Sequence, residues 1–264
     1  MPIRARHLVT AAALALTASA ARAELVTMTI EYREGDTVLE GYLAYDASGP
    51  AKKPGVLVFH QWKGITAYEK KRAEQLAALG YVAFAADLYG KGVRPADPKA
   101  AGAEAGKYRG NRPLLRARTL AALAALRKQP NVQGERIAAL GYCFGGGAAL
   151  ELARAGADVL GVVSFHGSLT TPTPQDAKNI RGKVLVLHGA DDPAAPRADV
   201  LALQDELTAG GVDWQVVLYS GVVHSFTQPD AGNDKSKGSA YDARADRRSW
   251  EAMKDFFGEL FAGP

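Results

Sequence analysis

One cysteine occurs among the 264 residues, Cys143, and it stands in the stretch RIAALGYCFGGG, Arg136 to Gly147. The segment Gly141-Tyr142-Cys143-Phe144-Gly145 is a G-x-C-x-G sequence, preceded by an apolar run and followed by a helical pattern. In that setting a G-x-S-x-G sequence makes a nucleophile elbow. A sharp strand-to-helix turn holds the central side chain up, and the flanking glycines leave room for neighbouring backbone. A thiol at the first turn of a helix also meets partial positive charge, which favours the reactive thiolate. Two other uses of a glycine-rich turn fail. The third glycine of a dinucleotide fingerprint would fall at Leu150, and no lysine follows as a phosphate-binding loop requires. The competing reading is a buried structural cysteine, a common fate of a free thiol.

A nucleophile of this kind needs a base, and the base an orienting acid. In α/β-hydrolases the chain order is nucleophile, acid, histidine. Downstream of Cys143, KVLVLHG leads into Ala190-Asp191-Asp192-Pro193-Ala194-Ala195-Pro196, and WQVVLYS leads into Gly221-Val222-Val223-His224-Ser225-Phe226. Asp192 and His224 therefore follow two successive strand-like runs in the required order. Asp191 competes for the acid, and either carboxylate could cap a helix starting near Pro196. His188 lies inside its run and reads as a core or supporting residue. His60 and His166 end the runs GVLVFH and VVSFH and are expected on the same rim as the nucleophile, where they would line its pocket. The five histidines show neither HxxxE nor H-x-H spacing, so neither metal nor organic cofactor is expected.

The elements that must position these residues are legible from periodicity. From Leu25 to Tyr45 apolar and polar residues alternate around Glu34-Gly35-Asp36, which predicts an antiparallel hairpin. Near-continuous apolar runs follow: GVLVFH, YVAFAAD, RIAALGY, VLGVVSFH, KVLVLHG and WQVVLYS. Such runs suit strands of a parallel sheet buried on both faces. Helical spacing marks YEKKRAEQLAALG, RPLLRARTLAALAALRKQ, FGGGAALELARAG, ADVLALQDELTAGG and DRRSWEAMKDFFGELF. The alternation predicts an α/β chain: a mostly parallel sheet with an antiparallel N-terminal hairpin and helices on both faces, its site at the carboxyl ends of the strands. Residues 88–111, 166–182 and 225–239 read as long loops crowding that rim.

The first residues, MPIRARHLVTAAALALTASAARA, combine a basic start, an apolar run and a terminal Ala21-Arg22-Ala23, the layout of a signal peptide cleaved before Glu24. The expectation is a secreted, periplasmic protein whose residues 24–264 form one domain, with no membrane association after cleavage. Removing residues 1–23 removes three arginines and no acid, lowering the formal net charge from +4 to +1. No clustered basic stripe remains, which argues against nucleic acid and for a small-molecule partner. A single cysteine excludes an intramolecular disulfide framework.

Taken together, GYCFGG, HGADDPAAP and GVVHSF resemble the dienelactone hydrolase family, and the stretch from His60 to Gly92 fits as well. The resemblance runs from Gly55 to Phe261 and implies the α/β-hydrolase fold and a cysteine hydrolase of esters and lactones; a monomer is the expected state. It implies a triad of Cys143, His224 and Asp192. The oxyanion hole would be the backbone N–H groups of Phe144 and Trp62, and the pocket would include Gln61, His166, Phe226 and Gln228. At two positions the sequence departs from the bacterial members: Gln61 replaces a glutamate that contacts the thiol, and Gln228 replaces an arginine that binds a substrate carboxylate. Arg94, Arg109 and Lys91 are candidates for a replacement cation, with surface solvation as the plainer role. Two rival readings are a noncatalytic binding protein that retains the fold and a thiol redox sensor, which would lack a resolving cysteine.

Overall fold

The computed structural model describes residues 24–262. The expected signal peptide therefore lies outside the described residues. Ten-residue strands β1 (Leu25–Glu34) and β2 (Thr37–Asp46) form the expected hairpin, in register from Leu25 opposite Asp46 to Glu34 opposite Thr37. Gly35 turns the chain with φ of 53°, a conformation glycine adopts without steric cost.

Six more strands continue the sheet: β3 (Lys53–Phe59), β4 (Val82–Ala86), β5 (Val132–Tyr142), β6 (Gly161–Phe165), β7 (Lys183–Gly189) and β8 (Trp214–Tyr219). The order across the whole sheet is β1-β2-β4-β3-β5-β6-β7-β8, with the β1–β2 and β2–β4 pairs antiparallel and the other pairs parallel. Their side chains alternate between two buried cores. Leu57, Phe59, Ile137 and Ala139 enter one; Val56, Val58, Ala138 and Leu140 enter the other. Burial on both faces is why β4, β6 and β7 read as unbroken apolar runs, whereas β8, at the sheet edge, is only part-buried.

Helices α3 (Arg112–Arg127), α4 (Phe144–Arg154) and α5 (Arg197–Ala209) cover the first core, and α1 (Ala67–Ala78) and α6 (Ala243–Phe261) the second. The region read as one long loop at 88–111 contains a further helix, α2 (Pro98–Arg109). Its starting signals are ordinary: Asp97 caps Ala100 N–H and Pro98 occupies the first turn. Its body, PKAAGAEAGKYR, buries only Ala101, Ala105 and Tyr108, too small an apolar stripe to stand out as a periodic pattern. The other two loops contain short 3₁₀ segments at Pro174–Asn179, Pro229–Ala231 and Lys235–Lys237.

After β3 the chain moves to one side for β4 and then crosses to the other for β5. The crevice between the carboxyl ends of β3 and β5 is the topological switch point at which open α/β sheets bind ligands. Helix α4, which starts at that crevice, is anchored at its far end. Arg154 is fully buried and bonds Glu206 (2.7 Å), Glu151 (3.0 Å) and the Leu169 carbonyl (2.9 Å).

Candidate active site

Cys143 joins β5 to α4 with φ 55° and ψ −116°. A non-glycine residue in this region stores on the order of 1–3 kcal/mol of strain and persists only where its surroundings enforce it. Here the enforcement is close packing on both sides. A Cβ on Gly141 would stand 2.0 Å from the Gly145 carbonyl oxygen, and one on Gly145 would stand 2.1 Å from that of Phe59. Neither glycine has a positive φ; each is needed for the approach of backbone to backbone. Among the described residues, the non-glycine residues with positive φ are Cys143, His166 and Ser225, all at or beside the same crevice.

Cys143 Sγ lies 3.1 Å from His224 Nε2, and His224 Nδ1 lies 2.7 Å from Asp192 Oδ2. The histidine follows β8 and is held by a fold-back of the next loop: its N–H donates to the Gly238 carbonyl and its carbonyl accepts from Ala240. Asp192 is buried after β7, and its other oxygen accepts the Ala194 N–H at 2.8 Å. Asp191, the alternative acid, is exposed and makes no contact with His224. Neither carboxylate caps α5, whose capping position is Pro196, with no side-chain cap.

Burial by itself would push the Cys143 thiol up. The positive charge and hydrogen bond of His224 outweigh it, with smaller contributions from Arg109 and the Phe144 N–H, and the thiol titrates below its ordinary value. Burial would correspondingly depress His224, but the negative charge of Cys143 and the hydrogen bond His224 donates to Asp192 raise it to about 10. The two shifts have the same cause, since each charged partner favours the charged form of the other.

A cleft of about 480 Å³ opens over the sulfur, lined among others by Gln61, Trp62, Glu69, Arg109, His224 and Gln228. Gln61 donates to Gln228 (3.2 Å), so the two departures noted in the sequence meet as one neutral amide pair. Two expected pocket residues do not reach the cleft. His166 and Phe226 are both fully buried. His166 packs edge-on against His224, with ring centroids 5.2 Å apart, and bonds Thr227 Oγ1 at 2.8 Å. Phe226 packs against His166 and Tyr219 in the core. Their positions next to functional residues misled because neighbours in a tight loop point in opposite directions, and their bulk supports His224 from behind. His60 is likewise buried beneath the rim, and His188 bonds the Ala195 carbonyl (2.8 Å) behind Asp192. Burial lowers the pKa of His60, His166 and His188 alike, so each is held toward the neutral form.

Of the three candidate cations, Lys91 pairs with Glu31 and Glu40, and Arg94 is tied to Ile65, Val93 and Asp87. Arg109, at the end of α2, reaches the cleft and lies over the Phe144 ring at 5.8 Å. Sequence reasoning missed Glu69, a fully buried carboxylate that closes a capping box with Thr66. The T-x-x-E signature at Thr66–Glu69 was the available signal. No group of three His, Cys, Asp or Glu side chains among the described residues is arranged to hold a metal ion, and none of the described helices is long and apolar enough to cross a membrane.

The sequence model of the dienelactone hydrolase family matches residues 39–261. The chain belongs to the dienelactone hydrolase family. It is therefore a hydrolase of ester or lactone type. Its dienelactone hydrolase fold is shared with the solved structure of a protein called m3DLH, 41% identical, TM-score 0.86, over 90% of this chain and 99% of that one. It is equally similar to a dienelactone hydrolase-like promiscuous phosphotriesterase, P91, from metagenomic libraries: 41% identical, TM-score 0.84, over 89% and 98% of the two chains. A protein of Aquifex aeolicus, provisionally named a carboxymethylenebutenolidase, is 28% identical over 234 residues, covering 86% of this chain and 96% of its own length.

Proposed function

We propose that this dienelactone hydrolase-family protein cleaves small uncharged esters or lactones through a thioester on Cys143. The observation carrying the reading is the continuous hydrogen-bonded line from Asp192 through His224 to the sulfur. The thiolate attacks the substrate carbonyl carbon. The oxygen gains negative charge and is stabilised by the Phe144 N–H and the Trp62 N–H. The carbon–oxygen bond to the leaving group breaks, and the departing alkoxide takes the proton from His224 Nε2. His224, now neutral, removes a proton from water as the water attacks the thioester. The tetrahedral intermediate collapses with the thiolate as leaving group, and the carboxylic acid is released. Asp192, accepting from Nδ1–H, keeps Nε2 directed at the sulfur and stabilises the imidazolium.

Preference for uncharged substrates follows from the Gln61–Gln228 pair, which offers amide dipoles where a guanidinium would offer charge and bidentate geometry. The same neutral amide pair, together with 41% identity to the promiscuous phosphotriesterase P91, favours a second reading, in which the thiolate attacks the phosphorus of a neutral phosphotriester, the bond to one aryloxide breaks and that group leaves with the proton of His224. Export and cleavage before Glu24, a single domain over residues 24–264 and a monomeric state complete the proposal. N-terminal sequencing and sedimentation of the mature protein test these. For the chemistry, 4-nitrophenyl butyrate in excess should release a burst of about one equivalent of nitrophenol per site, followed by turnover. Diethyl 4-nitrophenyl phosphate tests the second reading. An absence of burst and turnover across small esters would favour a noncatalytic binder or a redox-sensing thiol.

A further inference from the structure

The Trp62 N–H meets no protein acceptor among the described residues, while the Gln61 N–H, the Gln61 carbonyl and the Trp62 carbonyl are all engaged. The Gln61 N–H donates to Glu69 Oε1 at 3.2 Å, and the Trp62 carbonyl accepts from the Tyr89 hydroxyl at 3.0 Å. Between them, the Gln61 carbonyl accepts from His60 Nδ1 at 2.6 Å and from the Gly64 N–H at 3.3 Å. In a trans peptide the C=O and the following N–H point in opposite directions in one plane. Whatever holds the Gln61 carbonyl therefore aims the Trp62 N–H.

The tautomer of His60 follows from its second contact. The Leu88 backbone N–H, which can only donate, reaches His60 Nε2 at 3.1 Å. Nε2 is thus the acceptor, and the proton of the neutral ring sits on Nδ1, facing the Gln61 carbonyl. Burial keeps the ring neutral by lowering its pKa. The ring is fully buried between Tyr89 (centroids 4.5 Å, edge-on) and Phe144 (5.9 Å, stacked). It touches both walls of the crevice and is absent from the lining of the cleft.

Resting on the acyl-transfer reading above, we infer that His60 is a positioning residue that fixes the Gln61–Trp62 peptide plane and so aims the Trp62 N–H at the developing oxyanion. Donor placement matters steeply here, because an oxyanion-hole donor acts at 2.7–3.1 Å from the charged oxygen, and losing one costs about 10²–10³ in kcat. Loss of aim alone should cost less than loss of the donor.

The test uses His60→Asn and His60→Gln in the full protein. Asparagine can place an amide N–H where Nδ1 stands. Glutamine can accept the Leu88 N–H where Nε2 stands but puts no donor at the Nδ1 place. With 4-nitrophenyl butyrate, His60→Gln should lower kcat by about 10- to 100-fold with KM within about twofold, and His60→Asn should recover most of the loss. Alkylation of Cys143 by iodoacetamide is a displacement that needs no oxyanion hole, so its rate should stay within about twofold in both variants. The inference is overturned if His60→Gln keeps the wild-type kcat, if both variants lose kcat equally, or if alkylation falls in parallel with turnover, which would locate the damage at the nucleophile. Failure of the underlying reading shows separately: Cys143→Ala would then retain turnover, and the inference would fall with it.

Discussion

Replacing Asp192 by asparagine changes one atom and should reverse the polarity of the site. Asp192 Oδ1 accepts the Ala194 N–H at 2.8 Å and Oδ2 accepts from His224 Nδ1 at 2.7 Å, both inside a fully buried pocket. An asparagine must keep its carbonyl oxygen on the Ala194 N–H, because leaving that buried donor unpaired costs about 1–3 kcal/mol. Its NH₂ then faces His224 Nδ1, and the imidazole must present a lone pair there and carry its proton on Nε2, against the sulfur. That arrangement removes a hydrogen bond to a charged group, worth about 1.5–3 kcal/mol. At about 1.4 kcal/mol per decade this is a loss of about 10- to 150-fold in kcat/KM. The assay is hydrolysis of 4-nitrophenyl butyrate by Asp192→Asn and, as a control, by the exposed neighbour in Asp191→Asn, which should stay within about twofold of wild type. An equal loss in the two variants, or a greater one in Asp191→Asn, would refute the assignment of the acid.

Cys143→Ala and His224→Ala should each lower kcat/KM by at least about a thousandfold with melting temperatures close to wild type, since members of one chemical unit each remove most of the rate. Because His224 and Arg109 hold the Cys143 thiol below its ordinary value against the effect of burial, iodoacetamide alkylation should stay fast at pH values where a free cysteine is protonated. His224→Ala should move that profile upward, and a wild-type profile centred near the ordinary thiol value would contradict the ion pair. Gln228→Arg should shift the ratio of kcat/KM values toward esters bearing a carboxylate, measured on a matched succinyl and butyryl pair. Arg154→Met leaves the buried Glu206 carboxylate without its partner, while Glu151 keeps Arg116, and should cost about 3–5 kcal/mol in urea unfolding, seen as a lower midpoint.

The parts of this molecule that the sequence makes readable are those where burial and chain order speak together. The parallel strands inside the sheet announce themselves because both faces are covered, while the edge strand β8 is apolar yet only part-buried, and Cys143, Asp192 and His224 follow the ends of β5, β7 and β8 in the order an acyl-transfer site needs. What stays hidden depends on direction rather than order. Asp191 and Asp192 are adjacent and chemically identical, yet only one turns inward. His166 and Phe226 sit beside the right residues but point into the core. Arg109 depends on α2, a helix whose small residues leave almost no periodic trace. The role of Glu69 and His60 is to brace backbone that lies eight residues or fewer away in sequence, and only the hydrogen-bond directions reveal it.

The central claim is a covalent acyl group on Cys143, and the most direct measurement is mass spectrometry of protein quenched in acid during turnover of 4-nitrophenyl butyrate. The expected result is a single butyryl group carried by the peptide containing Cys143, formed within the burst and lost as substrate is exhausted. Burst and turnover by Cys143→Ala, or a butyryl group on any other residue of the wild-type protein that keeps pace with turnover, would contradict it.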